Sequence, residues 1–314
     1  MEAKQKPLIS YVVTTYNIEA FVEESVKCAF AQTYSPLEIV LSDDCSTDKT
    51  FEIMQKMASE YQGPHKIVLN RNEQNLGITR HMNKAYLELA TGEIIIAAHG
   101  DDISLPERTE KSWEFLEKNP DCTQVACSAV VVDSNLVPFP DSYQKNFSVP
   151  SVRKYDLTTI AHVSIGFSAF RRSVMVAFGP LNDSCPTEDD PIGFRLLLSG
   201  NIALMPDKLV MYRKHETSNS NPENFIRFPL EKILEQQNDD MKKAVSMGII
   251  TENQKAELYD KLEKNMYIRK KYRNYFAKRT FSSLFVLVTH NGLTIKRRIL
   301  YIKQHLLYLI NKHN

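Results

Sequence analysis

Four apolar runs, regularly spaced in the first hundred residues, limit what this chain can fold into. Residues 8–16 (LISYVVTTY), 37–42 (LEIVLS), 66–70 (KIVLN) and 94–98 (IIIAA) are rich in β-branched side chains and alternate little. Runs of that kind suit strands covered on both faces. Between them, apolar residues recur at helical spacing. Asn17 is placed as the N-cap of a helix carrying Phe21, Val22, Val26, Ala29 and Phe30 on one face. A second amphipathic helix is predicted over 49–61. Asn75-Leu76-Gly77 then turns the chain into a third, running through Arg80, Asn83 and Ala90 and ended by Gly92. Strand and helix thus alternate β-α-β-α-β-α-β, which predicts an α/β protein with a mostly parallel sheet. At 314 residues there is length for one large core or two moderate ones.

In a parallel sheet the strand tips share one edge, where open α/β proteins bind ligands. Three of the four tips here are polar or acidic: Asn17, Asp43-Asp44 and Asp101-Asp102. The last is the most abrupt, because a fully apolar run passes through His99-Gly100 straight into two carboxylates. Ser104, Pro106 and Glu107 then have the spacing of a capping box that opens the next helix. Adjacent carboxylates repel each other unless a cation or a hydrogen-bond network stands between them, so a divalent metal is a natural partner. Taken alone, the pair reads first as a solvated acidic loop. No G-x-G-x-x-G follows the first strand and no G-x-x-x-x-G-K-[ST] occurs, which disfavours a dinucleotide-binding fold and a P-loop.

Beyond residue 120 the pattern continues with a strand at Cys122–Val132, loops over 133–160, and a short strand entering a helix at 166–172. Thr187-Glu188-Asp189-Asp190 precedes an apolar helix over 192–198, which Ser199-Gly200 stops. Strands are predicted at 201–205 and 209–213, with His215 just after. Helical patterns of mixed charge follow over 222–264. Residues 265–314 differ in kind: they hold 11 Lys and Arg and no Asp or Glu, leaving 28 basic against 38 acidic residues, a net −10, for 1–264. Their basic, aromatic and aliphatic residues interleave, as in helices that lie on anionic membrane surfaces. An ordinary basic bundle, a dimer interface or RNA contact fits the same pattern. The chain as a whole, 39 basic against 38 acidic, is not a globally basic nucleic-acid binder. Five scattered cysteines without a C-x-x-C, no signal-peptide core and no apolar run of about 20 residues lead to the expectation of a cytoplasmic protein with reduced thiols, peripheral on a membrane if its tail binds one.

Taken together and in order, five of these landmarks resemble the family 2 inverting glycosyltransferases of the GT-A fold, over residues 7–220. Thr14-Thr15-Tyr16-Asn17 resembles P-x-Y-N with threonine where proline is usual, and Ser42-Asp43-Asp44-Cys45-Ser46-Thr47-Asp48 resembles V-D-D-G-S-T-D. Asn75-Leu76-Gly77 with Arg80 and Asn83 resembles the N-x-G segment. Gly100-Asp101-Asp102 with Leu105-Pro106 resembles the end of D-x-D-D-x-x-x-P, and Thr187-Glu188-Asp189 resembles x-E-D. On this resemblance, residues 1–220 form a GT-A domain and 221–314 a helical region that is basic from 265.

The resemblance implies roles. Thr15, Tyr16, Asn17, Asp43, Asp44, Arg80, Asn83 and Asp101 would bind a nucleotide-sugar donor, with Asp44 at the base and Arg80 at the diphosphate. A carboxylate accepts from an imide N–H, which favours uracil and hence a UDP-sugar. Asp43 and Ser46 serve equally well as caps of the following helix. Asp101, Asp102 and His215 would hold Mn²⁺ or Mg²⁺. His99 stands where the first acid of D-x-D is usual, and imidazole suits Mn²⁺ better than Mg²⁺. Asp189, helped by Glu188, would take the proton of the acceptor hydroxyl; alternatively, the acids are simply the first turn of a helix, favoured by its dipole. A saccharide or lipid-linked acceptor is implied, as in cell-surface polysaccharide synthesis, and no nucleic-acid partner. Two rivals stand beside this reading: a sugar-phosphate nucleotidyltransferase, which would show a Gly-rich basic loop after the first strand, and a non-catalytic nucleotide-sugar-binding protein.

Overall fold

The computed structural model describes residues 5–140, 151–153, 164–216, 228–278 and 280–289, together with 295, 298, 299, 301–303, 305 and 306. By its internal contacts the chain forms two compact units, Met1–His215 and Glu216–Asn314.

The four apolar runs of the sequence are strands β1 (Ile9–Thr15), β2 (Leu37–Asp43), β3 (Lys66–Arg71) and β4 (Ile94–His99). They pair in parallel in the order β3-β2-β1-β4, with Ile9 level with both Leu37 and Ile94. Beyond β4 the sheet continues through β8 (Ser168–Arg171), β6 (Cys122–Val132), β9 (Asn201–Arg213) and β5 (Ile103–Ser104), and β7 (Ser151–Arg153) pairs with β9. β8 is antiparallel to β4 and β6, while β9 is parallel to β6. The carboxyl ends of β1, β2, β4 and β9 therefore face the same edge. Every residue of β1 and β2 is buried, as expected for strands covered on both faces. Helices α1 (Val22–Phe30), α2 (Thr50–Glu60), α3 (Ile78–Asn83, widened into a π-turn over Lys84–Leu89), α4 (Arg108–Lys118), α5 (Arg172–Phe178) and α6 (Asp189–Ser199) complete the unit. Burial of Val22, Val26 and Ala29 on α1 shows why that helix forms: its apolar stripe closes on β1 and β2, with each large side chain worth roughly 1.5–3 kcal/mol.

Glu38 sits fully buried at the opposite, amino edge of this sheet. Its carboxylate accepts from Ser10 Oγ (2.6 Å), Thr91 N–H (2.6 Å), Thr91 Oγ1 (2.8 Å), Gly92 N–H (3.2 Å) and Lys66 Nζ (3.2 Å), joining β1, β2, β3 and the turn into β4.

Four local expectations are corrected. Asn17 is not an N-cap: α1 starts five residues later, after Phe21, and Asn17 adopts φ 50° while its Oδ1 accepts from Thr47 N–H at 2.8 Å. Ser104 opens no helix. It is drawn into β5, opposite Val210, and its hydroxyl meets Tyr11 and Arg108, so α4 begins at Arg108 with no side-chain cap. The strands expected at 201–205 and 209–213 are one strand, because the ladder to β6 shifts register between Cys127 and Ala129 and absorbs Pro206 in a bulge. Residues 151–153, expected within a loop, are strand β7. Residues 141–150 and 154–160 of that expected loop lie outside the described residues, as do Lys296, Arg297, Leu300, Leu307 and Leu309.

The second unit contains α7 (Leu230–Ser246), α8 (Glu252–Lys278) and α9 (Phe281–Val288), the last opened by a capping box between Thr280 and Ser283. Among the described residues no helix is long and apolar enough to cross a membrane.

Candidate active site

The carboxyl edge of the sheet is built from three strand tips and two segments that arrive from far along the chain. At the tip of β2, Asp43 is fully buried and accepts from Thr15 Oγ1 (3.1 Å), Ser46 N–H (2.8 Å) and Ser46 Oγ (2.5 Å). That arrangement closes the turn after β2 on itself; α2 takes its own bond from Asp48 to Thr50 N–H. Asp44, also buried, accepts from Asn72 Nδ2 and Leu76 N–H at Oδ1 (2.8 Å each) and from Gly77 N–H at Oδ2 (2.9 Å). Gly77 has φ +76°, a conformation that glycine adopts without a steric penalty, and this points its N–H back at Asp44. The two acids therefore shape the carboxyl edge from within. Thr15 is buried beneath them and Tyr16, 46% exposed, stands out from the tip of β1. Asn83 holds Leu181 through both ends of its amide, accepting from Leu181 N–H and donating to Leu181 O, each at 2.8 Å, which is a bracing role. Arg80 is largely exposed, with Nε 3.5 Å from Asp183 Oδ2.

At the tip of β4, ligand atoms of His99, Asp101 and Asp102 lie within 4.8 Å of one another. The end of β9 holds this group in place: Arg213 N–H donates to Asp102 Oδ1 (2.9 Å), and His215 Nε2 meets Asp101 Oδ2 (3.0 Å). His215, expected among the metal ligands, meets Asp101 through this contact, and His99 is grouped with the two acids. Two buried atoms of the group, Asp102 Oδ2 and His99 Nε2, lack a hydrogen-bond partner. These two unpartnered atoms, with the Asp101 carboxylate beside them, make a donor set of two carboxylates and an imidazole that fits a divalent cation.

Segment 164–189 brings in the remaining acids. Asp189 is the first residue of α6, and its Oδ1 accepts from Ile165 N–H at 2.7 Å. Glu188 Oε1 lies 3.6 Å from His99 Nε2, which links the x-E-D acids to the β4 tip. Gly166 makes this approach feasible, since a Cβ there would sit 2.9 Å from the His99 ring.

The electrostatics follow from the crowding. Burial, then the neighbouring Asp101 charge, pushes Asp102 up to about 8. Burial, then Glu188, pushes Asp189 up to about 7. Asp101 moves the other way: burial opposes its charge, but the His215 hydrogen bond and His99 outweigh it and hold the carboxyl below its usual range. For His99, burial disfavours the imidazolium, and Glu188 followed by Asp101 and Asp102 more than offsets that, holding it above its usual value. Buried titratable groups pushed apart in this way mark a candidate functional site.

Residues that the motifs do not reveal complete the site. Arg108 is 1% exposed and ends in no carboxylate. It donates to Ser104 Oγ (2.8 Å), Ala97 O (2.7 Å) and Gly166 O (2.9 Å), tying β4, β5 and the turn beside Asp189 together. Its only sequence signal was an Arg near the start of a helix. Ile165 acts through its backbone, which no side-chain pattern announces.

Comparison with known proteins places this edge. The structure resembles S. aureus TarS (residues 1–349) in complex with UDP-GlcNAc, at 18% identity and TM-score 0.65 over 90% of this chain and 78% of that one. It also resembles the mannosyltransferase PcManGT from Pyrobaculum calidifontis in complex with GDP-Man and Mn²⁺, at 16% identity and TM-score 0.59 over 97% and 81%. These likenesses establish the GT-A fold. In sequence, an uncharacterized glycosyltransferase of Methanocaldococcus jannaschii, MJ1057, is 32% identical over 153 residues, 48% of this chain and 51% of the relative. The chain spans about half the length of the curated relatives it matches. The sequence model described as "Glycosyl transferase family 2" matches residues 10–178, more than half of the chain and including three of the strand tips that build the acidic edge, so this chain belongs to glycosyl transferase family 2.

Proposed function

We propose that the chain is an inverting glycosyltransferase that moves a sugar from a nucleoside-diphosphate donor, a UDP-sugar first, to a hydroxyl of a saccharide or lipid-linked acceptor of the kind used in cell-surface polysaccharide assembly. The observation that carries this reading is the meeting of Asp189, held by Ile165 N–H and raised to about 7, with the His99–Asp101–Asp102 group on one sheet edge. In such a transfer the acceptor oxygen attacks the anomeric carbon from the face opposite the leaving group. The new C–O bond forms as the bond to the diphosphate oxygen breaks, the electron pair leaves with the nucleoside diphosphate, and the acceptor proton passes to Asp189. A carboxylate with its pKa near working pH is ionised enough to accept that proton and basic enough to keep it.

On the donor side, Tyr16 offers an exposed ring to the base, and Asp44 keeps acceptor capacity on Oδ2, where only Gly77 N–H donates among the described bonds. Arg80 would exchange its 3.5 Å contact with Asp183 for the diphosphate, whose oxygens match a guanidinium fork. His99, Asp101 and Asp102 would hold a divalent metal, Mn²⁺ in preference to Mg²⁺ because of the imidazole. When bound, the metal would offset the charge on the departing diphosphate.

Calorimetric titration of UDP into the protein, with Mn²⁺ and again with EDTA, tests the reading. Tight binding only with Mn²⁺, followed by turnover of a UDP-sugar panel, is expected. Binding that ignores EDTA would remove the metal from the reading. Failure to bind UDP, GDP and dTDP alike would overturn the transferase reading itself.

A further inference from the structure

Within the second unit, each of the last helices buries one side and leaves a second apolar side in solvent. Leu284 and Leu287 of α9 pack with Tyr275 of α8, and the Tyr275 hydroxyl meets His305 Nδ1 at 3.0 Å. That is the inner side. On the outer side, Phe281 and Phe285, one helical turn apart, are each 66% exposed. Ile295, Ile299, Ile302 and Leu306 are helical residues spaced by four, three and four, which places them along one helix face, and their exposure runs from 41% to 76%. The Phe281 ring lies 4.7 Å from the ring of His305, the residue before Leu306, so the start of α9 packs against the helix that carries the second stripe. Single exposed apolar residues are ordinary; six along two helices that pack on each other mark an interaction surface.

We propose that this face docks on an anionic lipid surface, with the helices lying in the plane of the interface rather than crossing it. Amphipathic helices bind in that way, their apolar side at the headgroup–acyl boundary and their basic side chains among anionic headgroups. The charge complements such a surface: eleven Lys and Arg and no acid stand between residues 265 and 314, and Lys278 and Lys303, three and one positions from Phe281 and Ile302, are exposed. A second copy of the chain, docked by the same face, would bring two such stretches, each without an acid of its own, like charge against like. Nucleic acid would match the cations but leave the Ile and Leu stripe facing phosphate and water. A lipid surface satisfies both halves of the pattern, and this inference does not rest on the transferase reading.

The test is co-sedimentation of the full chain with vesicles of phosphatidylcholine alone and of phosphatidylcholine mixed with phosphatidylglycerol, at low and high salt. Partitioning about tenfold stronger on the anionic vesicles, weakened by salt, is expected. The triple change Phe281→Ser, Phe285→Ser and Ile299→Ser lowers it by about tenfold again, with circular dichroism and UDP titration unchanged. Should the triple variant misfold, Ile299→Ser alone, at a site 50% exposed, carries the comparison with a smaller drop. Equal partitioning of wild type and variant, or none by either, overturns the proposal. So does a dimer in sedimentation velocity that the variant dissociates, or binding to single-stranded RNA without binding to vesicles.

Discussion

The two edges of the sheet each bury carboxylates, and they treat them in opposite ways. At the amino edge, Glu38 accepts five hydrogen bonds from two neighbouring strands and the turn into β4. Burial there works against its charge, but the bonds from Ser10, Thr91 and Lys66 outweigh it and hold the carboxyl below its usual value. At the carboxyl edge, Asp102 takes one N–H at Oδ1, leaves Oδ2 without a partner, and is driven up to about 8. Asp43 and Asp44 show that position alone is not the cause, since both lie at the carboxyl edge and are well supplied with donors. What separates the groups is completion. A buried acid whose acceptor sites are filled by the protein serves the fold; one left short is a place for something the protein does not itself provide.

The contrast can be broken by measurement. The largest effect is expected from Asp189→Asn, which removes the acceptor for the proton but retains an oxygen for Ile165 N–H: kcat should fall about 10³-fold, near 4 kcal/mol, with UDP affinity unchanged. A loss of binding in step with turnover would show that Asp189 serves the fold as Glu38 does. Next, Glu38→Ala leaves the buried donors of Ser10 and Thr91 without an acceptor and should cost about 3 kcal/mol in denaturant unfolding. Because the Glu38 pKa is depressed in the fold, its contribution is present above its ordinary value near 4.5 and is lost as pH falls through the lower folded value. Acid unfolding of the wild type should therefore be shifted toward neutral pH in the variant.

Asp189 carries the opposite sign. With a folded pKa near 7 against 3.8, the folded state holds the proton more tightly, so its contribution to stability declines as pH rises from about 4 to 7, while kcat/KM rises up to about pH 7 and levels above it. A flat rate profile between pH 5 and 8 would remove it as the base. The smallest effect belongs to Asp102→Asn without metal: an amide keeps an acceptor for Arg213 N–H and avoids the buried charge, so stability at pH 7 should change by less than about 1 kcal/mol. A loss as large as that of Glu38→Ala would erase the distinction between the two edges.

Much of this was legible in the chain because parallel sheets write themselves locally. Each buried strand is one unbroken apolar run, and each tip is a break into polar residues, so Asp43, Asp44, Asp101 and Asp102 could be placed on one edge before any contact was known. The approach of Glu188 and Asp189 came only from a motif resemblance, and their meeting with His99 depends on the bare α-carbon of Gly166. The misreadings share one cause. Asn17 and Ser104 have the chemistry of helix caps, but a hydroxyl or amide accepts whichever donor the tertiary structure delivers, and Thr47 and the ladder to Val210 arrived first. Glu38 and Arg108 left no trace because polar residues completed by distant backbone resemble, in sequence, any surface charge.

The bond from Arg213 to Asp102 and the contact of His215 with Asp101 have a consequence in time rather than in space. They join residues 111 and 114 positions apart, whereas the ladders of β1, β2 and β3 close over fewer than 30. Short closures cost less chain entropy and tend to form first. During synthesis the whole parallel half of the sheet emerges while its acidic tip is still unpinned, and no chain shorter than residue 215 can possess both of these contacts. The acidic edge is thus finished last, by the strand that ends the first unit.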